Sequence, residues 1–415
     1  MASPRVAPIH RKNAGSASRS GHRSRIGIAL AGGGPLGAVY EIGALAAIEE
    51  SIEGLDLNDA DIYVGISAGG IVAAGLANGI TPHQMCRMFV ESDHRDQAGE
   101  RVQPELFFTP AWGELGKRAA ALPPLLARSA FDYVRRGGKN SVAHSFERLK
   151  RALPIGLFAS SGIDEFLRKT FAEAGRSNDF RQLQRRLVIV ATDLDSGASV
   201  EFGQPGLDHV PISQAVQAST AVPGLFPPVA IDGRHFVDGA LKKTLHASIA
   251  LKHGADLTIC LNPLVPYNSN TLGGDSVAEH GLFAVLSQTL RTIIHSRLEI
   301  GIGNYARLYP EADVLLFEPS PSDAEIFFAN LFSYSNRRRL CENAYQHTRL
   351  TLWQQRATLA PQLARHGLRL KLPLLQDTSL TLVKTPVRRR KDRFALGRLN
   401  QTLSDLERYL KVAGS

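Results

Sequence analysis

Ile62-Tyr63-Val64-Gly65-Ile66-Ser67-Ala68-Gly69-Gly70-Ile71-Val72-Ala73-Ala74 is the stretch whose reading decides the fold. Its first three residues form a short apolar run suited to a buried strand, and the residues from Gly70 onward suit a helix. Between them, Gly65-x-Ser67-x-Gly69 spells a tight turn with a serine at its tip. The flanking glycines, Gly65 and Gly69, admit a backbone bend that a Cβ would obstruct. A helix start behind Ser67 offers unpaired N–H groups and a positive dipole end, both of which favour a developing oxyanion. Small residues in this order also serve plain strand–helix packing, so the motif alone leaves both readings open.

Upstream, Ile26-Gly27-Ile28-Ala29-Leu30-Ala31 reads as a strand buried on both faces. It runs into Gly32-Gly33-Gly34-Pro35-Leu36-Gly37, followed by a helix expected over residues 38–50. Consecutive glycines let backbone N–H groups turn toward one point, as an oxyanion hole requires. Gly32, Gly33, Gly34 and Gly37 are the candidates, with Gly33 and Gly34 as the expected donors; Pro35 has no N–H to give. Gly32, Gly34 and Gly37 also match Gly-x-Gly-x-x-Gly, the dinucleotide fingerprint. That reading wants an acidic residue at a strand end about twenty residues on. Asp56, Asp59 and Asp61 lie near that distance, but no clean strand ends at any of them. No Gly-Lys-Ser/Thr follows the loop, which excludes a P-loop. Far downstream, the strand-like His235-Phe236-Val237 ends in Asp238-Gly239-Ala240. A carboxylate there is placed to face a serine on a neighbouring strand end, and a plain β-turn is the competing reading.

Together these elements resemble the patatin-like phospholipase family over about residues 25–263. Residues 188–197 (Val-Ile-Val-Ala-Thr-Asp-Leu-Asp-Ser-Gly) and 218–228 (Ala-Ser-Thr-Ala-Val-Pro-Gly-Leu-Phe-Pro-Pro) resemble its bacterial branch. The resemblance implies a three-layer α/β fold, with a mostly parallel central sheet and helices on both faces. It implies a lipid acyl hydrolase, phospholipase A-like, that cleaves carboxylic esters through an acyl-serine intermediate. Ser67 would be the nucleophile and Asp238 its base, followed by Gly239 and Ala240, with the glycine-loop amides as oxyanion hole. A serine hydroxyl is a weak nucleophile without a base, and an aspartate serves if partial burial raises its pKa. Thr220, Pro223 and Phe226 would help shape an acyl pocket. No cofactor and no metal is implied. Two departures stand out: Leu36 occupies a position where relatives carry Arg or Lys, and Lys243-Thr244-Leu245-His246 replaces a segment that usually holds Asn and Pro. A Ser–His–Asp triad through His246 or His253 competes, since both follow Asp238. So do acyl transfer, thioester cleavage, and a non-catalytic lipid-binding scaffold.

The chain has 415 residues and a formal net charge of +9. The excess gathers at Arg5, Arg11, Lys12, Arg19, Arg23 and Arg25, and again at Arg388-Arg389-Arg390-Lys391-Asp392-Arg393. Such runs are solvated tails or attract anionic lipid headgroups, worth about 1 kcal/mol per basic residue near the surface. Without an aromatic platform or zinc motif, nucleic acid is not an expected partner. Cys86, Cys260 and Cys341 have no metal-ligand spacing, which fits a reducing compartment. No secretory apolar run precedes Ile26 and no run reaches membrane-span length. The expected location is cytoplasmic, with peripheral contact at an anionic membrane as the option these charges open; the oligomeric state is not legible.

Three regions are expected. Residues 1–24 form a disordered basic tail, residues 25–320 the catalytic domain, and residues 321–415 a helical extension. Strands are expected at residues 26–30, 62–65, 187–191, 199–202, 235–237, 257–261 and 313–317. A helical insertion over about 91–184 holds Phe107-Phe108, Trp112 and an apolar 122–126 stretch, and reads as a lid, an acyl groove or ordinary packing. Residues 275–308 read as one helix whose Leu282, Leu286, Leu290, Ile293, Ile294, Leu298, Ile302 and Tyr305 face the core. Residues 346–372 read as helix interrupted at Pro373, and Leu399, Leu403, Leu406 and Leu410 as a narrow apolar seam.

Overall fold

Every residue of Ile26–Leu30, Ile62–Ile66 and Leu257–Leu261 is buried, as in strands covered on both faces. The computed structural model describes residues 7–8, 23–91, 109–110, 156–243, 245–268, 276–320 and 334–383. In chain order its strands are β1 (Ala7–Pro8), β2 (Ile26–Leu30), β3 (Ile52–Glu53), β4 (Ile62–Ile66), β5 (Arg186–Asp193) and β6 (Ser199–Phe202). They continue with β7 (Val229–Ile231), β8 (Arg234–Asp238), β9 (Leu257–Leu261), β10 (Asp313–Phe317) and β11 (Arg369–Leu370). The main helices are α1 (Gly34–Ser51), α2 (Ala68–Ala77), α3 (Pro82–Cys86), α4 (Ser161–Thr170) and α5 (Ile212–Ser219). After them come α6 (Ala247–Lys252), α7 (Leu282–Leu308), α8 (Tyr334–Gln354), α9 (Arg356–Arg365) and α10 (Leu372–Gln376).

One nine-stranded sheet runs β1-β10-β9-β2-β4-β5-β8-β7, with β6 also paired to β5. The five strands from β10 to β5 are parallel, and β1, β6, β7 and β8 join antiparallel. The alternation of side chains along β2 divides two cores. Ile26, Ile28 and Leu30 face a large cluster shared with α1 and α2, whereas Ala29 and Ala31 face a second cluster under α6 and α7. Small residues on the second face let α6 approach closely: a Cβ on Gly27 would lie 2.8 Å from Ala250 Cβ. The fold is therefore α/β, a mostly parallel sheet between two helical layers.

Register on β5 positions the site. Residues 189–192 of β5 pair with β6 along one edge. Along the other edge, β4 pairs up to Ile66↔Val190, and β8 arrives from the opposite direction to end at Asp238↔Ala191. Two strand C-termini thus meet on adjacent rungs of one ladder.

Several expectations are corrected. The helix after the glycine loop starts at Gly34 rather than Ala38, because Pro35 is suited to a first helical turn. Ala7–Pro8 pairs with Leu315 and Leu316, so the basic tail contributes an edge strand. The β7–β8 hairpin turns through Asp232 (φ 51°) and Gly233 (φ 74°), an Asp-Gly signal present in the sequence. Pro373 opens α10 rather than interrupting a helix, which has already closed at Arg365. α7 turns Ile294, Leu298 and Tyr305 to the core, whereas Leu282, Leu286, Leu290 and Ile293 are exposed. The compact unit carrying the sheet runs to Val383, past the boundary expected at 320. The basic run at 388–393, the seam at 399–410 and the aromatic part of the insertion lie outside the described residues.

α8 packs against α1 so closely that a Cβ on Gly43 would lie 2.3 Å from the Cys341 carbonyl oxygen. Backbone cannot yield as a flexible side chain does. Gly43→Ala is expected to destabilise the fold by about 1–3 kcal/mol, read as a fall in Tm with no change in the active-site chemistry per folded molecule.

Candidate active site

The apolar β4 stops at Ile66, and the chain reverses into α2 within one residue. Ser67 takes that bend at φ 52°, ψ −126°, a strained conformation for a residue with a Cβ. The glycines around it are required by contact. A Cβ on Gly65 would lie 2.6 Å from Gly70 Cα, and one on Gly69 would lie 2.4 Å from the Ala31 carbonyl oxygen. Ser67 is only 4% exposed and stands at the N-terminus of α2, where the helix dipole is positive.

Asp238 comes to Ser67 along the shared β5 edge, near enough for the serine side chain to act on its carboxylate and favour the ionised form. The Ala240 N–H donates to Asp238 Oδ1 at 2.8 Å. The backbone is held as well: Asp238 N donates to Ala221 O at 3.0 Å, and Thr192 Oγ1 donates to Asp238 O at 3.1 Å. Burial pushes the carboxyl up from its ordinary value to about 6, and the nearby Ser67 hydroxyl and the Ala240 amide partly oppose that rise. Gly239 has no room for a side chain, since a Cβ would meet Val190 O at 2.2 Å.

The glycine loop closes the third side. A Cβ built on Gly32 would lie 3.1 Å from Ser67 Cβ and 3.4 Å from Ala240 Cβ, so three loops distant in sequence converge. The N–H groups of Gly32 and Gly33 have no acceptor among the described residues. Gly34 begins α1 at φ 62° with open space beside it. Gly37 departs from its expected role: its N–H donates to Gly33 O at 3.1 Å, and its α-carbon packs against Pro263. It therefore serves loop packing rather than anion binding.

Residues 219–221 hold both Ser67 and Asp238, a role no local pattern announced. Ser67 N donates to Ser219 Oγ at 2.7 Å, and Ser219 Oγ donates to Val190 O at 2.6 Å. Two residues later Ala221 O accepts from Asp238 N. The resemblance marked this segment, but not what it does. Thr220 is buried and bonds Gln217 O, Phe226 is buried beside Phe158, and Pro223 is exposed.

The rival arrangements find little support. His253 bonds Arg186, at the end of β5 away from Ala191. His246 is buried and held neutral, its pKa pushed down by burial to about 3, and it is not among the groups acting on Asp238. Asp59 pairs with Arg23 and Arg185, and Asp61 accepts from Ile26 N, so both sit where β2 and β4 begin rather than at the loop. Asp56 accepts from Asn58 N in a local turn. Leu36 packs against the core. Glu41 is fully buried, and burial raises its carboxyl well above the usual range. Among the described residues, no cluster of His, Cys, Asp or Glu could hold a metal.

A family model described as patatin-like phospholipase matches residues 28–251, the span holding the loop, the elbow and the Asp238 turn. The chain belongs to this family. Uncharacterized NTE family proteins of Mycobacterium bovis and Mycobacterium tuberculosis are 40% identical to it over 81 residues. That match spans 20% of this chain and 21% of those relatives, so the chain covers about a fifth of their length. Solved structures with likeness include VipD from Legionella pneumophila, at 16% identity and TM-score 0.37, covering 80% of this chain and 67% of that one. Human GIVD cytosolic phospholipase A2, bound to a fluorophosphonate, shows 14% identity and TM-score 0.33 over 83% and 58% of the two chains. At these scores the structural likeness carries no further argument.

Ser219→Ala would leave the Ser67 amide and the Val190 carbonyl unpaired, at about 1–3 kcal/mol for each buried group. We expect kcat on a soluble ester to fall about 10–100-fold while KM changes less than about twofold, with a lowered Tm. Steady-state kinetics alongside a melting curve check both.

Proposed function

We propose that this patatin-like protein hydrolyses carboxylic esters of lipids through an acyl-Ser67 intermediate, with Asp238 as the base. The observation that supports this is the buried juxtaposition, on adjacent rungs of one β5 edge, of the Ser67 side chain and a carboxylate raised to about 6. A carboxyl of that strength is ionised at neutral pH yet basic enough to take a proton in flight. No histidine lies among the groups acting on it. The family to which the chain belongs supports a lipid as the acyl donor. The loop from Gly32 to Gly37 carries no charge, which suits a neutral acyl ester.

The sequence of events follows from these positions. Ser67 Oγ attacks the ester carbonyl carbon as its proton passes to Asp238. The carbonyl oxygen becomes an oxyanion facing the free amides of Gly32 and Gly33 and the start of α2, each donor worth about 3–4 kcal/mol in acyl-transfer enzymes. Collapse expels the alcohol, which takes the proton from Asp238 and leaves acyl-Ser67. Water then attacks the acyl carbon, giving its proton to Asp238, and the second tetrahedral species releases the fatty acid and returns the proton to Ser67. Ester and water are consumed; acid and alcohol are formed.

Ser67→Ala and Asp238→Asn are each expected to lower kcat/KM by more than about a thousandfold on a panel of acyl esters. Retained activity in Asp238→Asn, with loss on replacing His246, would overturn the assignment.

The base acts as its carboxylate, so kcat/KM should rise with pH through about 6 and then level off. The linked stability runs the other way. The folded protein binds this proton more tightly than the unfolded chain, so the contribution to stability is present below the ordinary aspartate value and is lost as pH rises through about 6. Asp238→Asn should remove that decline, giving a Tm at neutral pH equal to or above that of the wild type.

A further inference from the structure

α7 has two faces of different character. On its inner face Leu298 and Tyr305 pack on the sheet, and Ile294 and the neighbouring Arg291 are buried as well. At about 100° per residue, Leu282, Leu286, Leu290, Ile293, Arg297 and Ile300 fall within an arc of about 80° on the outer side. The five apolar members of that arc are exposed large side chains, Leu282 at 68% and Ile300 at 67%. Exposed leucines scattered singly need no explanation, but a file of them along five turns of one helix does.

The helix that bears this ridge is tied to the candidate site at two points, one on its inner side and one within the arc. Arg291 Nη1 donates to the carbonyls of Pro263 (3.3 Å) and Val265 (3.1 Å), and Pro263 is the residue against which Gly33 and Gly37 pack. Arg297 Nη1 donates to Leu241 O at 3.2 Å, three residues beyond Asp238. Leu241 is itself an exposed large apolar residue. The ridge therefore borders the loops that carry the reacting groups.

Charge decides which partner it fits. Glu299 is the only acid in α7, and it falls more than about 90° from the middle of the apolar arc. The polar residues on or beside this arc are Thr289, Ser296, Arg297, Asn304 and Arg307, and the whole chain carries +9. Apolar side chains flanked by hydroxyls and cations, with no acid among them, match the surface of an anionic bilayer.

We propose that the outer face of α7 seats the protein on an anionic lipid surface, with Leu282, Leu286, Leu290, Ile293 and Ile300 entering the acyl boundary. This deepens the lipid-ester reading and rests on it for where the substrate lies. The test is co-sedimentation of the full-length Ser67→Ala protein with vesicles of phosphatidylcholine containing phosphatidylglycerol, with and without Leu286→Ser, Leu290→Gln and Ile293→Gln. The partition coefficient should fall about tenfold or more with the three substitutions. The difference should persist near 1 M salt, where a Debye length of about 3 Å silences the basic tails. With Ser67 restored, the triple variant should cleave 4-nitrophenyl butyrate within about twofold of wild type. An unchanged partition coefficient overturns the proposal, as does a triple variant that loses short-ester cleavage as well. A dimer that dissociates in size-exclusion chromatography while vesicle binding is retained overturns it too, by assigning the ridge to a second copy. If the wild type cleaves no ester yet binds vesicles through the ridge, the catalytic reading fails and this one stands.

Discussion

Two strands ending against each other on one edge of β5 are the constraint on which the molecule depends. β4 climbs that edge to Val190 and β8 descends it to Ala191. Neither can continue, so each must turn away from the sheet. The turn after β4 presents Ser67, and the last residue of β8 is Asp238. Proximity of the two groups is thus a property of the hydrogen-bond ladder rather than of flexible loops. Ser219 and Ala221 fix the same two residues from a second direction, through bonds to the Ser67 and Asp238 amides. A site held on both sides in this way loses little entropy when a substrate arrives.

Burial around these groups has two consequences that oppose one another. Removing water raises the Asp238 carboxyl and makes it more basic. The same desolvation makes the ionised form costly to the fold. The strained backbone of Ser67 belongs to the same class of cost, local destabilisation that the surrounding sheet must over-determine. The fully buried strands on either side supply that rigidity.

Much of this was legible because its causes are local. A buried apolar run followed by glycines, an elbow with small residues on both sides of a serine, and an aspartate closing a strand each declare themselves within ten residues. The assignment of their roles came from their joint resemblance to a family, and the register that unites them could not be read. Ser219 shows why: its partner amide lies 152 residues away, and nothing near Ser219 hints at it. α7 failed for a different reason. Apolar residues occur on both of its faces, so spacing marks a helix without saying which side meets the core. The hairpin at Asp232-Gly233 carries its own Asp-Gly turn signal, but β7 is only three residues long and shows no strand pattern of its own.

The two-residue repeat of a strand gives the β5 edge a sharper meaning. Were β8 to slip by one rung, Asp238 would point through the sheet to the opposite layer, and Val237 would stand before Ser67. No intermediate alignment exists in which the carboxylate still reaches the serine. Errors of strand pairing in this architecture therefore separate the two groups outright instead of merely loosening their approach.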